Sequence, residues 1–330
     1  MRAWRVEQFG EPTEQWRLAE DVPECDPGAG QIKVAVEACG LGLPDVLMCR
    51  DNYPLTPPLP FTPSQEAAGE VVAVGEGVDE RLLGTRVMGT TLFQAQAGGL
   101  ADYCLMSADA ALPIPDAMAG EEAAGFFIPY MTAWVGLVRR GHLTTDDTLL
   151  VLGASGSSGA AAIQLGKAIG ARVIAVAGGP EKAAFCRSIG ADEVIVHRAD
   201  DITEAVNSLT GGAGASIVFD PVGGKAGRAA FKATSFEGRF VVIGYASGEW
   251  ARISLPETLM TNISLVGAMP VGFSSDVMRG GVEELIGFWR EGKLKLSSQQ
   301  IFDFDDALAA ITHIATRRVE GKVIVRVRQP

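Results

Sequence analysis

The sequence predicts an α/β protein in two parts: a β-rich, turn-rich domain, then a doubly wound parallel sheet with helices on both faces. Three observations predict it. The 330 residues, 47% hydrophobic, suffice for about two domains with substantial cores. Up to about residue 120, β-branched runs bounded by Gly, Asp and Pro leave little room for long helices. From about residue 121, an apolar run, a loop and a helix recur in regular alternation, which specifies a parallel sheet.

The first part carries the strand-like runs "RAWRVEQFG", "QIKVAVEACG", "GEVVAVGEGVD" and "GTRVMGT". The alternation then reads "TLLVLG" and "SGAAAIQLGKAIG"; "ARVIAVAGG" and "PEKAAFCRSIG"; "DEVIVH" and "DITEAVNSLTG"; "ASIVFDPVGG" and "KAGRAAFKATSFEG"; and a last strand, "RFVVIGYASG". Gly170 and Gly190 follow helices and are expected as left-handed caps. Two further helices, "GVEELIGFWREGK" and "FDDALAAITHIATRRV", lead to a closing strand, "GKVIVRV". The expected division is 1–122 for the β-rich domain, 123–265 for the doubly wound sheet, and 266–330 for a return to the first domain. Within that return, Ile263 to Phe273 is apolar and reads as an edge strand that pairs with its mate in a homodimer, since an exposed apolar edge invites aggregation.

Composition excludes several classes. A formal charge of −12 opposes adsorption to nucleic acid or anionic lipid. The five cysteines, Cys25, Cys39, Cys49, Cys104 and Cys186, are odd in number and contain no C-x-x-C pair, so neither a disulfide framework nor a zinc ribbon is expected. They suit a reducing cytoplasm. "MRAWRVEQFGEP" lacks the apolar core of a signal peptide, and the longest uncharged segments, 123–138 and 148–166, are too short or too rich in Gly and Ser to read as membrane spans.

Chemistry concentrates at the joint after "TLLVLG". Ala154-Ser155-Gly156-Ser157-Ser158-Gly159 is an A-x-G-x-x-G form of the dinucleotide fingerprint, placed between a buried strand and a helix and followed by further strand–helix units. Gly156 would let the backbone approach a pyrophosphate, Gly159 would let the helix pack close to the strand, and Ser157 and Ser158 would offer amides at the positive end of the helix dipole. An NAD site places Asp or Glu at the end of the next strand to bind the ribose. Here that end reads Val176-Ala177-Gly178-Gly179, with Lys182 just beyond and His197 and Arg198 at the following strand end. Those cations suit a 2′-phosphate, so NADPH is the expected cofactor. The other reading has Glu181 serving the ribose and Lys182 as a solvated helix charge.

Taken together, "VLGASGSSGAAAIQLGKAIGARVIAVAGGPEKAAFCRSIGAD", "VFDPVGG", "VVIGYASG", "QEAAGEVVAVGEGV" and "GKVIVRV" resemble the medium-chain dehydrogenase/reductase superfamily, and within it the zinc-free NADPH:quinone oxidoreductases. The resemblance spans nearly the whole chain. It implies a GroES-like β domain beside a Rossmann domain, an active site in the cleft between them, and a homodimer. The zinc-dependent branch carries a Cys and a His where this chain has Gly42 and Gln65, neither of which binds zinc well, and no Cys falls within 89–103. No metal is therefore expected, and the implied reaction is hydride transfer from NADPH to a quinone or an α,β-unsaturated carbonyl compound.

The resemblance places Tyr53 and Gln65 on the acceptor side, Tyr53 to hydrogen-bond the acceptor carbonyl. A ring packed under the Pro-rich loop is the other reading of Tyr53. It also implies Tyr130 and Thr132 near the nicotinamide, Val222 by the adenosine, Gly244 and Tyr245 near the pyrophosphate or ribose, and Ala268 and Met269 near the carboxamide. The quinone reductase branch has Asn at the position of Gly42. Either the site is roomier for a different substrate, or Gln65 or Tyr130 takes the amide's role. Asp45 and Glu66 read as structural carboxylates. Two rivals remain open: an enoyl-thioester or 2-alkenal reductase of the same superfamily, and a non-catalytic NADPH-binding protein.

Overall fold

The computed structural model describes residues 1–197, 201–296 and 300–328, and the chain forms two compact units, 1–128 with 298–330, and 129–297. The first unit holds β1 (Ala3–Val6), β2 (Trp16–Ala19), β3 (Gln31–Leu41), β4 (Glu66–Val74), β5 (Arg86–Thr90), β6 (Tyr103–Ser107) and β7 (Leu112–Pro113). The second holds β8 (Thr148–Val151), β9 (Arg172–Ala177), β10 (Glu193–Val196), β11 (Ala215–Asp220), β12 (Thr234–Val242) and β13 (Ser264–Gly267). The chain then returns to the first unit with β14 (Gln300–Asp303) and β15 (Val323–Arg326).

In the first unit the sheet order is β14-β15-β3-β4-β5-β7, with β6 also on β3. The long β3 organises it. One edge pairs with β4 along most of its length; β6 takes residues 31–35 and β15 takes 38–41. Nearly all of β3 is buried, which suits the small side chains of "VAVEACGL". Trp16, Met48, Phe61 and Met106 fill the core beside it. The indole of Trp4 donates to the Phe304 carbonyl (2.8 Å), so the N-terminal strand and the returning tail share this core.

In the second unit six parallel strands run in the order β10-β9-β8-β11-β12-β13. That is the doubly wound order, with its reversal between β8 and β11. Leu150, Ile174, Val218 and Phe240, one from each of the four central strands, pack in one cluster. Gly170 (φ +104°) and Gly190 (φ +114°) follow their helices in the left-handed region, as their sequence positions predict. The helix expected through "KAGRAAFKATSFEG" stops at Lys232, because Thr234 pairs with Ala215 and opens β12.

The division of the chain differs from the expected one at both joints. Residues 123–128 stay with the first unit, where the Ile128 amide donates to Glu66 Oε2 (2.8 Å). The stretch 266–296 stays with the second. Its helix Ser275–Arg290 packs Gly281 against the Trp134 ring, and the Trp134 indole donates to Glu284 (2.8 Å). Past the helix, the Gln164 amide group binds both the N–H (2.8 Å) and the carbonyl (3.2 Å) of Lys295.

One contact fixes the start of the helix Ser157–Ile169. A methyl group on Gly159 would lie 2.4 Å from the Gly153 carbonyl oxygen and 2.8 Å from Ala154 Cα, closer than any side chain fits. Gly156 is looser, at 3.3 Å from the same oxygen. Gly159→Ala therefore costs about 1–3 kcal/mol of overpacking and lowers the melting temperature by several degrees in a thermal melt. Gly156→Ala leaves it near the wild-type value.

Candidate functional site

The carboxyl ends of β9, β8, β11, β12 and β13 carry most of the expected cofactor residues. At the end of β8 the chain turns through Gly153, with φ +55°, and the helix follows with Gly156 as its N-cap. No side chain caps this terminus. The ladder begins with the Ala160 amide donating to the Gly156 carbonyl (2.8 Å), so the amides of Ser157, Ser158 and Gly159 find no acceptor inside the helix. Such a terminus suits an anion.

The turn after β11 closes over this loop at the sheet's reversal point. A methyl on Gly153 would lie 2.9 Å from Val222 Cγ2. Asp220, which sequence reasoning passed over, builds that turn: its buried carboxylate accepts from the amides of Val222 (2.9 Å) and Gly223 (2.8 Å). Burial raises its pKa, and those two hydrogen bonds oppose the shift. The segment after β12 lies alongside, with the amides of Gly244, Ala246 and Ser247 donating to the carbonyls of Asp220, Pro221 and Val222. The Tyr245 ring packs against Trp250, centroids 4.5 Å apart and planes tilted by 40°. After β13, Ala268 is buried and Met269 is half exposed.

At the end of β9, Gly178 has no side chain, and a methyl there would lie 3.7 Å from His197 Nε2 and 3.9 Å from Lys182 Cδ. A lysine stem and an imidazole nitrogen thus converge on one strand end that carries no carboxylate of its own. Gly179 opens the next helix in an extended conformation, and Glu181 points into solvent on it. Arg198 lies outside the described residues. Tyr130 and Thr132 sit on the helix Phe127–Trp134, where the Tyr130 ring is buried and its hydroxyl donates to the Lys295 carbonyl (2.6 Å). That bond ties the segment after Ser275–Arg290 to the unit and uses the hydroxyl proton that would otherwise replace the amide missing at Gly42.

In the first unit, Tyr53 packs its ring partly against the core, and Gln65 is buried with its amide 3.9 Å from the Met48 sulfur. Asp45 holds the start of the helix Leu43–Cys49, accepting from the amides of Gly42 (2.8 Å) and Ser64 (2.8 Å). Glu66 pairs with Lys322, Nζ to Oε1 at 2.5 Å, in a close ion pair rather than a well-directed hydrogen bond. Burial pushes both carboxyl groups up, and the Lys322 charge opposes this at each. Lys322 stands in the "GKVIVRV" run, and nothing local in the sequence marks it as Glu66's partner.

A model of the alcohol dehydrogenase GroES-like domain matches residues 28–116, and a model of the zinc-binding dehydrogenase family matches 159–286. A quinone oxidoreductase-like protein 2 homolog of Nematostella vectensis is 34% identical over 309 residues, covering 92% of this chain and 83% of that protein. The chain belongs to the quinone oxidoreductase branch of the medium-chain dehydrogenase/reductase superfamily. Solved members of similar structure include the Escherichia coli quinone oxidoreductase complexed with NADPH, at TM-score 0.90 and 27% identity, covering 99% of this chain and all of that one. The Thermus thermophilus quinone oxidoreductase, described together with its NADPH complex, gives TM-score 0.81 and 31% identity, covering 99% and 100%.

For this family member the cysteines divide by burial. Cys39 and Cys104 are fully buried and their thiols are held well above the usual range, and burial pushes Cys49 up to about 11. Cys186 is buried too, whereas Cys25 is half-buried. Cys39 is therefore no nucleophile, even with the Lys322 charge nearby. Iodoacetamide labelling of the native protein is expected at Cys25 first, read by peptide mass, with the other four reacting at comparable rates after denaturation.

Proposed function

We propose that this chain is an NADPH-dependent, zinc-independent reductase that passes hydride to a quinone or a related α,β-unsaturated carbonyl compound. The observation that carries the reading is the strand-end set of the second unit: an uncapped helix terminus behind Gly153 and Gly156, and Lys182 and His197 converging on Gly178. No Cβ projects from Gly153, Gly156 or Gly178, and the Lys182 ammonium and the His197 imidazole are donors suited to the 2′-phosphate, the one group that distinguishes NADPH from NADH. Solved relatives with NADPH support the same choice.

In this reading the amides of Ser157 and Ser158 would hold the pyrophosphate, with Gly156 letting the backbone come close to it, and Gly179, Lys182 and His197 would surround the 2′-phosphate, with Arg198 beside them. Val222 covers the adenosine. Gly244 and Tyr245 border the pyrophosphate and ribose, and Ala268 and Met269 meet the carboxamide, near Thr132 and Tyr130. Bound NADPH supplies the hydride from its nicotinamide C4. Tyr53 and Gln65 orient the acceptor, which is work of positioning rather than of acid–base exchange. Gly42 and Gln65 offer no thiolate or imidazole, so their chemistry supports hydride transfer without a Lewis acid.

The same reading extends to assembly. β13 is the sheet's edge strand, and Leu265, Met269 and Val271 are exposed along and just beyond it, which supports pairing with a second copy. Among the described residues no helix is long and apolar enough to cross a membrane, and five scattered cysteines with no C-x-x-C pair fit the cytoplasm.

The direct test is turnover after exhaustive dialysis against EDTA. NADPH oxidation that persists with a benzoquinone, a naphthoquinone or a 2-alkenal supports the proposal; loss that zinc alone restores contradicts it. Lys182→Ala and His197→Ala should each weaken NADPH binding by about 10–100-fold, the worth of a charge-assisted hydrogen bond. Their NADH affinity should stay within about twofold of wild type in the same fluorescence titration.

A further inference from the structure

Gly42 is a glycine that its backbone does not require. Its φ of −148° and ψ of 178° are extended geometry open to any residue. A methyl there would meet the Pro44 ring at 3.3 Å, asking for a shift of a few tenths of an ångström, and Lys322 Nζ at 3.7 Å, an ordinary contact. Gly40, two residues earlier and on the same face, is different: a methyl would lie 2.5 Å from the Ala124 carbonyl, 2.6 Å from Lys322 Cε and 2.9 Å from Glu66 Oε1. The two glycines thus floor a groove in which the Lys322 side chain lies, its stem over Gly40 and its ammonium beside Gly42. Lys322 is 5% exposed, whereas Gly42, where a methyl would lie against its Nζ, is only partly buried.

An ammonium carries three donors. Among the described residues Glu66 is the one ion-pair partner of Lys322, so two donors remain for something else. A buried charge with unmet donors is costly unless a water or ligand completes it. The local charge also indicates what kind of ligand. Glu66 offsets the charge of Lys322 without occupying all of its donors. Such a pair suits a neutral group that becomes negative as it reacts.

We propose that Lys322, oriented by Glu66 and reached past Gly42, binds the acceptor's carbonyl oxygen and stabilises the negative charge it gains on reduction. This rests on the reductase reading above. For an enal, the hydride forms a C–H bond at the β-carbon, the C=C pair shifts toward the carbonyl, and the carbonyl oxygen becomes an enolate oxygen. The acceptor gains two electrons, the dinucleotide loses two, and a proton from water completes the product. A preorganised cation at that oxygen acts where charge develops. Glu66 is then a positioning residue, and the missing side chain at position 42 is what leaves the ammonium accessible.

The test compares wild type with Lys322→Met/Glu66→Gln, which removes both charges and so leaves neither buried alone. The thermal melt and NADPH affinity are expected to change little, and kcat/KM for a 2-alkenal and for benzoquinone to fall about 10²–10³-fold, the usual cost of losing an oxyanion donor. Binding of 4-nitrophenol, followed by phenolate absorbance against pH in the presence of NADP⁺, gives a readout free of turnover. Its apparent pKa should drop on binding to wild type and not to the double variant. If that variant does not fold, Gly42→Val covers the ammonium without touching the ion pair and should cause the same two losses. A folded variant with kcat/KM within threefold of wild type and an unaltered nitrophenol titration overturns the proposal. A wild type that oxidises no NADPH overturns the reductase reading instead, and the nitrophenol titration then still decides on Lys322.

Discussion

The approach of Gly159 to the Gly153 carbonyl is the constraint on which the cofactor half depends. Because no side chain fits between helix and loop, the helix Ser157–Ile169 begins hard against the end of β8. Its first amides therefore emerge at the reversal of strand order, between β8 and β11. The turn built by Asp220 brings Val222 to the other side of the same point. Parallel strands present all their carboxyl ends on one side, so the loops after β9, β12 and β13 face the same edge. The shape of this edge follows from backbone geometry, and few of its residues need to be large.

The β-rich unit uses a different device. Asp45, Glu66 and Lys322 are each at least nine-tenths buried, and every one of them has a fixed neighbour. Asp45 holds two backbone amides, and Glu66 holds the Ile128 amide as well as the Lys322 ammonium. Removing one partner of such a pair leaves an uncompensated buried charge, at a typical cost of about 3–5 kcal/mol. An expense of that kind in the core of a β domain is more readily understood where the charges also meet a substrate.

Much of this was legible in the sequence, for physical reasons that differ by element. The glycine-rich turn at 154–159 and the placement of Lys182 and His197 beside the end of β9 follow from local patterns, so spacing put them at strand ends. The alternation of strands and helices gave the parallel sheet because each unit must bury its own apolar face. Tertiary partners were not legible. The helix Ser275–Arg290 shows an apolar face but does not say which sheet covers it, and its placement with the second unit depends on the fit of Gly281 to Trp134. The hydroxyl of Tyr130 reaches Lys295, and Lys322 reaches Glu66, across long stretches of chain that no periodicity connects. The end of the helix at Lys232 was missed because "TSFEG" continues as strand only through pairing of β12 with β11.

The account turns on the second unit holding NADPH by its pyrophosphate and its 2′-phosphate. The most direct measurement is a paired titration of the purified protein with NADPH and with NADH, followed by nicotinamide fluorescence at fixed ionic strength. One NADPH bound per chain, with NADH at least tenfold weaker, is the predicted result. Equal affinity for the two would contradict the role of Lys182 and His197, and no binding of either would contradict the reading of the joint at 154–159.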